Sequence, residues 1–227
     1  MAHEARKSLT CERLLICEGP TDEAFFKNLI QRRNLPDFCI RIPADASRKL
    51  GVDGFPELLE AIPAWDGVAA LRHLIVVADN DADASASFRK VKDFLRNARP
   101  DTDPPFTYGI PDRAMVRAPG TPATTTIMMM PKRGNRGCLE TLLLTAAEKA
   151  SASAQRATAC VDTFVTCAGV DAWSSSKQAK MRLHSLIAAT YKKNPALSLS
   201  QVWTQAPDLI PLNDPCFDPI ADFLRRF

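Results

Sequence analysis

Acidic side chains stand at two points of the sequence where an apolar segment ends. Glu18 follows the apolar run of residues 12–17, and Asp79, Asp81 and Asp83 follow the apolar run of residues 74–78. Carboxylates supply hard oxygen ligands for Mg²⁺ or Mn²⁺ and leave positions open for water and a substrate phosphate. A metal held in this way can stabilise charge on a transferring phosphoryl group and activate a water molecule.

The same residues also suit structural roles. An Asp that stands between a strand and a helix often caps the helix, and this interpretation fits Asp83 best. Short acidic runs are also common in turns. From the residues alone, Asp79 and Asp81 can each be a metal ligand or a turn residue. Glu18 taken by itself is weaker evidence for a metal site.

Strands that alternate with helices must position these carboxylates. Apolar and β-branched runs predict strands over residues 12–17, 37–42, 74–78 and 124–130. Helical spacing predicts helices over residues 21–33, 55–62, 87–97, 138–150, 177–193 and 217–227, and leaves 151–176 ambiguous. This alternation predicts an α/β fold with a mainly parallel sheet, whose carboxyl edge gathers the loops that bind ligands. Glu18 and Asp79 are then expected to be neighbours.

Composition sets the scale of the fold. The 227 residues, 46% hydrophobic and 24% charged, suit an α/β core over 1–150 with a mainly helical extension over 151–227 packed on it. No secretion signal or membrane span is evident, so a cytoplasmic protein without membrane contact is expected. Seven cysteines without a close pair predict reduced, mostly buried thiols.

Positive charge is concentrated in one part of the chain. The net charge is only +3, yet residues 132–193 hold ten Lys and Arg against four Asp and Glu. Such clustering fits contact with a phosphate backbone, although solvated helix faces are commonly this basic. Lys132, Arg133 and Arg136 are the candidate nucleic-acid contacts in this region.

The two acidic motifs resemble those of the Toprim family, the metal-binding module of topoisomerases, DnaG-type primases and the overcoming-lysogenization-defect nucleases. That pattern is a strand ending in Glu-Gly and, downstream, a hydrophobic strand ending in Asp-x-Asp; here these are LLICEG (14–19) and LIVVADND (74–81). The stretch IMMMPKRGNRGCLETLLL (127–144) is similar to one in small bacterial Toprim proteins, which extends the likeness over about residues 11–145. The resemblance implies a Toprim-like, Rossmann-like sheet flanked by helices.

The resemblance also implies roles for individual residues. Glu18 would be a metal ligand or general acid/base, and Asp79 and Asp81 would be ligands. Glu140 is a fourth ligand candidate, although its place near a helix start equally suits interaction with the helix dipole. Asp83 matches a third family Asp, but Ala84 stands where the family often has Gly.

Two lysines complete the set of candidate catalytic residues. By the resemblance, Lys177 and Lys180 belong to a helix that supplies a basic group to the transition state. A solvated helix face is the alternative for each of them.

Within the Toprim group, hydrolysis is the economical choice. A topoisomerase needs a tyrosine nucleophile in a large frame, and this chain has only Tyr108 and Tyr191; a primase would want a zinc module, which the cysteine spacing lacks. The expectation is a nuclease that uses Mg²⁺ or Mn²⁺ on DNA or RNA. No Gly-Lys-Ser/Thr loop is present, so any ATP dependence implies a separate ATPase subunit, and phage defence follows by family association alone.

Two alternatives stay open. Asp79-Asn80-Asp81 after an apolar strand also resembles the nucleophile motif of haloacid-dehalogenase-type phosphatases, although Asp83 stands where that family has Thr or Val. The other alternative is a Toprim-like module that binds nucleic acid or a partner without cutting.

Overall fold

A five-stranded sheet forms the centre of the protein. The computed structural model describes residues 8–46, 49, 51–98, 100, 102, 105–131 and 135–227. The sheet has the order β2-β1-β3-β5-β4. Its members are β1 (Arg13–Ile16), β2 (Cys39–Arg41), β3 (His73–Asp79), β4 (Arg117–Ala118) and β5 (Thr124–Met130). Only β4, which pairs with β5, runs antiparallel, so the predicted mainly parallel sheet is confirmed.

Eight α-helices surround the sheet in the described part of the chain. They are α1 (Pro20–Arg32), α2 (Phe55–Ala61), α3 (Ala84–Asn97), α4 (Leu139–Lys149), α5 (Ala152–Cys167), α6 (Ser175–Thr190), α7 (Val202–Gln205) and α8 (Asp218–Leu224). Among the described residues, no helix has both the length and the apolar character needed to cross a membrane.

The strands are apolar on both faces because helices cover both faces. On β3, Leu74 and Val76 pack in the core that contains α2 and α3, whereas Ile75 and Val77 pack in the core that contains α1 and α4. Alternate side chains of a strand point to opposite faces, which explains why the run predicts a strand buried on both sides. The architecture is α/β, with helices flanking the sheet, and is compatible with a Rossmann-like fold.

The order of the strands reverses between β1 and β3. The chain leaves β1 through α1 to β2 on one side of β1, and β3 then lies on the other side. In open parallel sheets, ligands bind at the carboxyl ends of the strands beside such a reversal. Because β1 and β3 pair in parallel, with Ile16 opposite Val76, the ends of both strands open on the same edge.

Most predicted elements are confirmed, with ends shifted by a few residues. Helix α5 settles the ambiguous segment 151–176, and β4 lies in the Pro-rich connection, where no strand was predicted. The division into a core and an extension at residue 150 stays a prediction. Side chains from α4, α6 and the C-terminal segment share one apolar core with the sheet, among them Leu143, Leu183 and Phe217.

The prediction of reduced, mostly buried thiols is wrong for the pair Cys11 and Cys39 and for the exposed Cys160 and Cys167. Cys11 and Cys39 form a disulfide, with their Cα atoms 6.0 Å apart. The pairing of β1 with β2 brings the two residues together across 28 positions of sequence, which spacing alone does not reveal. Of the free thiols, those of Cys17 and Cys138 are buried, whereas Cys160 and Cys167 are exposed.

Candidate functional site

The two acidic motifs meet at the strand-order reversal. Glu18 lies just beyond the end of β1, and Asp79 is the last residue of β3. The main-chain N–H of Asp79 donates a hydrogen bond to Oε1 of Glu18 at 2.9 Å. The sequence prediction that these two residues are neighbours is therefore met by a direct contact.

Asp79 also contacts the start of α4. Its Oδ1 accepts a hydrogen bond from the N–H of Leu139, the first residue of that helix, at 3.0 Å. The first N–H groups of a helix have no partners within the helix and favour negative charge, so this end stabilises the carboxylate. Asp79 thus joins β1, β3 and α4 at one point.

Helix α4 adds two further donor groups. One donor atom from each of Asp79, Cys138 and Glu140 lies within 4.8 Å of the others. Glu140 is only 7% exposed, and Cys138 is fully buried. Buried carboxylates are costly without a cation or hydrogen bonds, and a bound cation is one way to offset that cost.

Asp81 is held by its backbone and by its side chain. It has a left-handed conformation (φ 49°) and exchanges two main-chain hydrogen bonds of 2.8 Å with Gly137. Gly137 is required there because its φ is 124° and an added Cβ would lie 2.5 Å from Oγ1 of Thr141. Oδ1 of Asp81 accepts a hydrogen bond from the hydroxyl of Ser176 at 2.9 Å.

Asp83 has a structural contact of its own. It is the N-cap of α3, and its Oδ1 accepts from the N–H groups of Ser85 and Ala86 at 2.9 Å each. These bonds lower the pKa of Asp83 and account for its place in the sequence. The contact supports the capping interpretation over the assignment as a ligand.

The electrostatics of the cluster follow from crowding. Burial raises the pKa of Asp79 well above its usual range, and the neighbouring carboxylates of Glu18 and Asp22 add to the effect. Burial also raises the pKa of Glu18, against the hydrogen bond from the N–H of Asp79. Several acidic groups therefore share a region where their negative charge is poorly compensated.

Asp22 is a member of the acidic cluster that the sequence analysis did not single out. Its Oδ2 accepts a hydrogen bond from the N–H of Gly19 at 3.1 Å. Its burial and the nearby charges of Glu18 and Glu140 raise its pKa to about 7. The available signal was that Glu18 and Asp22 stand only four residues apart, on either side of the point where α1 begins.

The two candidate lysines differ in their surroundings. Burial would lower the pKa of Lys180, but the carboxylates of Glu140 and Asp79 outweigh it and raise that pKa above its ordinary value. Both lysines are exposed, and the main-chain N–H of Lys177 donates to Oγ of Ser174 at the start of α6. Of the pair, Lys180 is the one that lies in the field of the acidic cluster.

The loop of candidate nucleic-acid contacts is only partly described. Lys132 and Arg133 lie outside the described residues. Arg136 is exposed, and its positive charge contributes to the low pKa of Asp83. Arg136 therefore lies on the same side of the molecule as the acidic run.

A cleft opens beside the acidic residues. It has a volume of about 220 Å³, and its lining includes Glu18, Asp79, Asp81, Ser87 and Lys90. A larger cleft of about 890 Å³ lies against α1 and the segment 203–213, but Asp208 is the single acidic residue in its lining. The chemistry of the side chains favours the smaller cleft as the candidate site.

Comparison with known proteins identifies the family of the chain. No curated protein and no solved structure matches it. The family model described as "Protein of unknown function (DUF3226)" matches residues 12–227, a span that includes the acidic cluster and helix α6. The chain belongs to the DUF3226 family.

Proposed function

We propose that this protein is a Toprim-like hydrolase of nucleic-acid phosphodiesters that depends on a divalent metal. The observation that carries the proposal is the contact between Glu18 and Asp79 at the strand-order reversal. Around this contact lie Asp81, Glu140 and Lys180, and the Toprim resemblance concerns the same strand ends.

The donor set fits Mg²⁺ or Mn²⁺. The carboxylates of Glu18, Asp79, Asp81 and Glu140 are hard oxygen donors and would hold the ion, and Asp22 lies close enough to raise the negative charge further. The raised pKa values of Glu18 and Asp79 indicate that a cation would relieve the crowding. When bound, such an ion neutralises charge on a phosphodiester and activates water.

Main-chain N–H groups orient the carboxylates of the site, and a lysine supplies a positive charge beside them. The N–H of Asp79 orients the carboxylate of Glu18, and the N–H of Leu139 orients that of Asp79. Lys180, in the field of Glu140 and Asp79, can stabilise negative charge that develops on a phosphoryl oxygen. Side chains held before the reaction need no reorganisation during it.

Binding to DNA or RNA is proposed through the basic loop that contains Arg136. This residue is exposed close to the acidic run. Phosphate contacts by Arg and Lys are independent of sequence and position the backbone of the nucleic acid. A separate ATPase subunit is proposed as a partner from the resemblance to the overcoming-lysogenization-defect nucleases alone.

The test is cleavage of a panel of single- and double-stranded DNA and RNA by the purified protein, with Mg²⁺, Mn²⁺ or a chelator. We expect cleavage only with metal, and its loss in Asp79→Asn, which keeps an oxygen to accept the Leu139 N–H. Asp208→Asn, in the larger cleft, is the matched control and should cleave normally.

Other outcomes would change the conclusion. Cleavage that survives Asp79→Asn would assign the activity to another site or a contaminant. Metal binding without cleavage of any substrate would favour the non-catalytic binding module. Hydrolysis of a phosphomonoester alone, such as p-nitrophenyl phosphate, would favour the haloacid-dehalogenase-type alternative.

A further inference from the structure

Ser176 places a buried hydroxyl against the acidic cluster. It lies in the first turn of α6, is only 6% exposed, and donates its Oγ–H to Oδ1 of Asp81 at 2.9 Å. The two residues are 95 positions apart in the sequence. A buried hydroxyl needs a partner, and a hydrogen bond to a carboxylate is stronger than one between neutral groups.

The hydrogen bond from Ser176 fixes the orientation of the Asp81 carboxylate. The backbone of Asp81 is fixed by the two hydrogen bonds with Gly137, but its side chain is exposed to solvent. An exposed carboxylate can rotate unless a donor holds it. The bond from Ser176 occupies Oδ1 and leaves Oδ2 for a cation.

Ser176 also contacts the segment that leads into α4. Its carbonyl oxygen accepts a weak hydrogen bond from Sγ of Cys138 at 3.8 Å, just before α4. Lys180 follows four residues later on the same face of α6 and lies in the field of Glu140. The first turn of α6 thus contacts Asp81, which follows β3, and Cys138, which precedes α4.

We infer that Ser176 is a positioning residue: it orients the carboxylate of Asp81 and so sets the affinity of the acidic cluster for its divalent metal. Helix α6 is then a structural component of the site. The inference rests on the proposed metal-dependent function, because it assigns Ser176 a role in that same site. Partners that orient metal ligands from outside the coordination sphere typically contribute 10- to 100-fold in affinity or activity.

The test measures Mn²⁺ binding to the full chain from the electron paramagnetic resonance signal of free Mn²⁺. Ser176→Ala should weaken binding by about 10- to 100-fold. Ser176→Thr, which keeps the hydroxyl, should restore most of the affinity. Ser175→Ala, at the exposed neighbouring position of the same helix, is the matched control and should bind as the wild type does.

Two further measurements separate positioning from a loss of folding. On an Asp81→Ala background, which leaves no side-chain acceptor for the hydroxyl, Ser176→Ala should cause little additional loss, since the two residues act through one bond. If the chain cleaves a phosphodiester, saturating Mn²⁺ should return the kcat of Ser176→Ala to within a few fold of wild type, whereas a misfolded site would not recover.

The possible failures are distinct. Wild-type affinity in Ser176→Ala, or an equal loss on both backgrounds, would overturn this inference and leave the proposed function standing. A wild-type chain that binds no Mn²⁺ would overturn both.

Discussion

The main-chain N–H of Asp79 and the carboxylate of Glu18 are joined by a 2.9 Å hydrogen bond between the adjacent ends of β3 and β1. The bond connects two motifs that are 61 residues apart in the sequence. It lies where the strand order reverses, which is the position in open α/β sheets where ligands gather. The contact therefore makes the carboxyl ends of β1 and β3 the centre of the candidate site.

Substitution of Asp79 should affect metal binding and stability in opposite directions. Asp79→Asn removes one negative charge from a crowded group, so the metal-free chain should melt at a higher temperature at pH 8. For a chain of this size, each 1 kcal/mol of relief raises Tm by about 2–4 °C. The same change should weaken Mn²⁺ binding, because it removes a charged ligand.

Calorimetry with and without Mn²⁺ checks both effects. Asp208→Asn, outside the cluster, should change neither Tm nor the stabilisation by metal. A metal-free Asp79→Asn chain that melts below the wild type would mean that the carboxylate is structural, through its bond to the N–H of Leu139.

Substitutions of the two lysines of α6 should have different effects on catalytic activity. Lys180→Met should lower kcat by about 100-fold or more if its ammonium stabilises transition-state charge, whereas Lys177→Met should have little effect. Mn²⁺ affinity should not fall in Lys180→Met, because the variant removes a positive charge from the cation's surroundings. Equal losses in both variants would assign the lysines to substrate binding in general.

Part of this site was predictable from the sequence because short segments of the chain were enough to indicate it. Glu18 and Asp79 each end an apolar run, and parallel strands bring such ends to one edge. The contact between Ser176 and Asp81 and the Cys11–Cys39 disulfide were not predictable, because they depend on which distant segments pack together. Asp22 did not stand out in the sequence because an acidic residue in the first turn of a helix is explained by its interaction with the helix start alone.

The basic loop should control the salt dependence of nucleic-acid binding. Replacing Lys132, Arg133 and Arg136 together with Ala should weaken binding and reduce the slope of log Kobs against log salt by about 0.9 for each lost contact with duplex DNA. The slope reports counterions released when phosphates are neutralised. Fluorescence anisotropy at several salt concentrations measures it.

The matched control is a triple variant that loses three positive charges outside the basic loop. Arg156, Lys192 and Lys193 belong to the same basic stretch, but Lys192 and Lys193 follow the far end of α6, roughly 20 Å from its start. Their replacement with Ala should leave the slope nearly unchanged. An unchanged slope in the loop variant, with a reduced slope in this control, would move the binding face to the far end of α6.

Asp22 should make the metal-free protein less stable as the pH rises. Its pKa in the folded chain is about 7, against an ordinary value of 3.8, because of burial and the charges of Glu18 and Glu140. Between these two values the folded state binds more protons than the unfolded state, so the free energy of unfolding falls with increasing pH. The stabilising contribution of the protonated form is complete below about pH 4 and is lost as the pH passes through 7.

Comparison with Asp22→Asn isolates this contribution. The amide keeps an oxygen to accept the N–H of Gly19 but does not ionise, so its stability relative to the wild type should increase from pH 5 to pH 8. Denaturant unfolding at both pH values measures the difference, and Asp208→Asn should show no comparable trend. Mn²⁺ added at pH 8 should stabilise the wild type more than Asp22→Asn, because a cation bound in the cluster offsets the repulsion that the ionised Asp22 creates. A difference between the two chains that is the same at pH 5 and pH 8 would place the carboxyl of Asp22 outside the field of Glu18 and Glu140, and the acidic cluster would then end at Glu18.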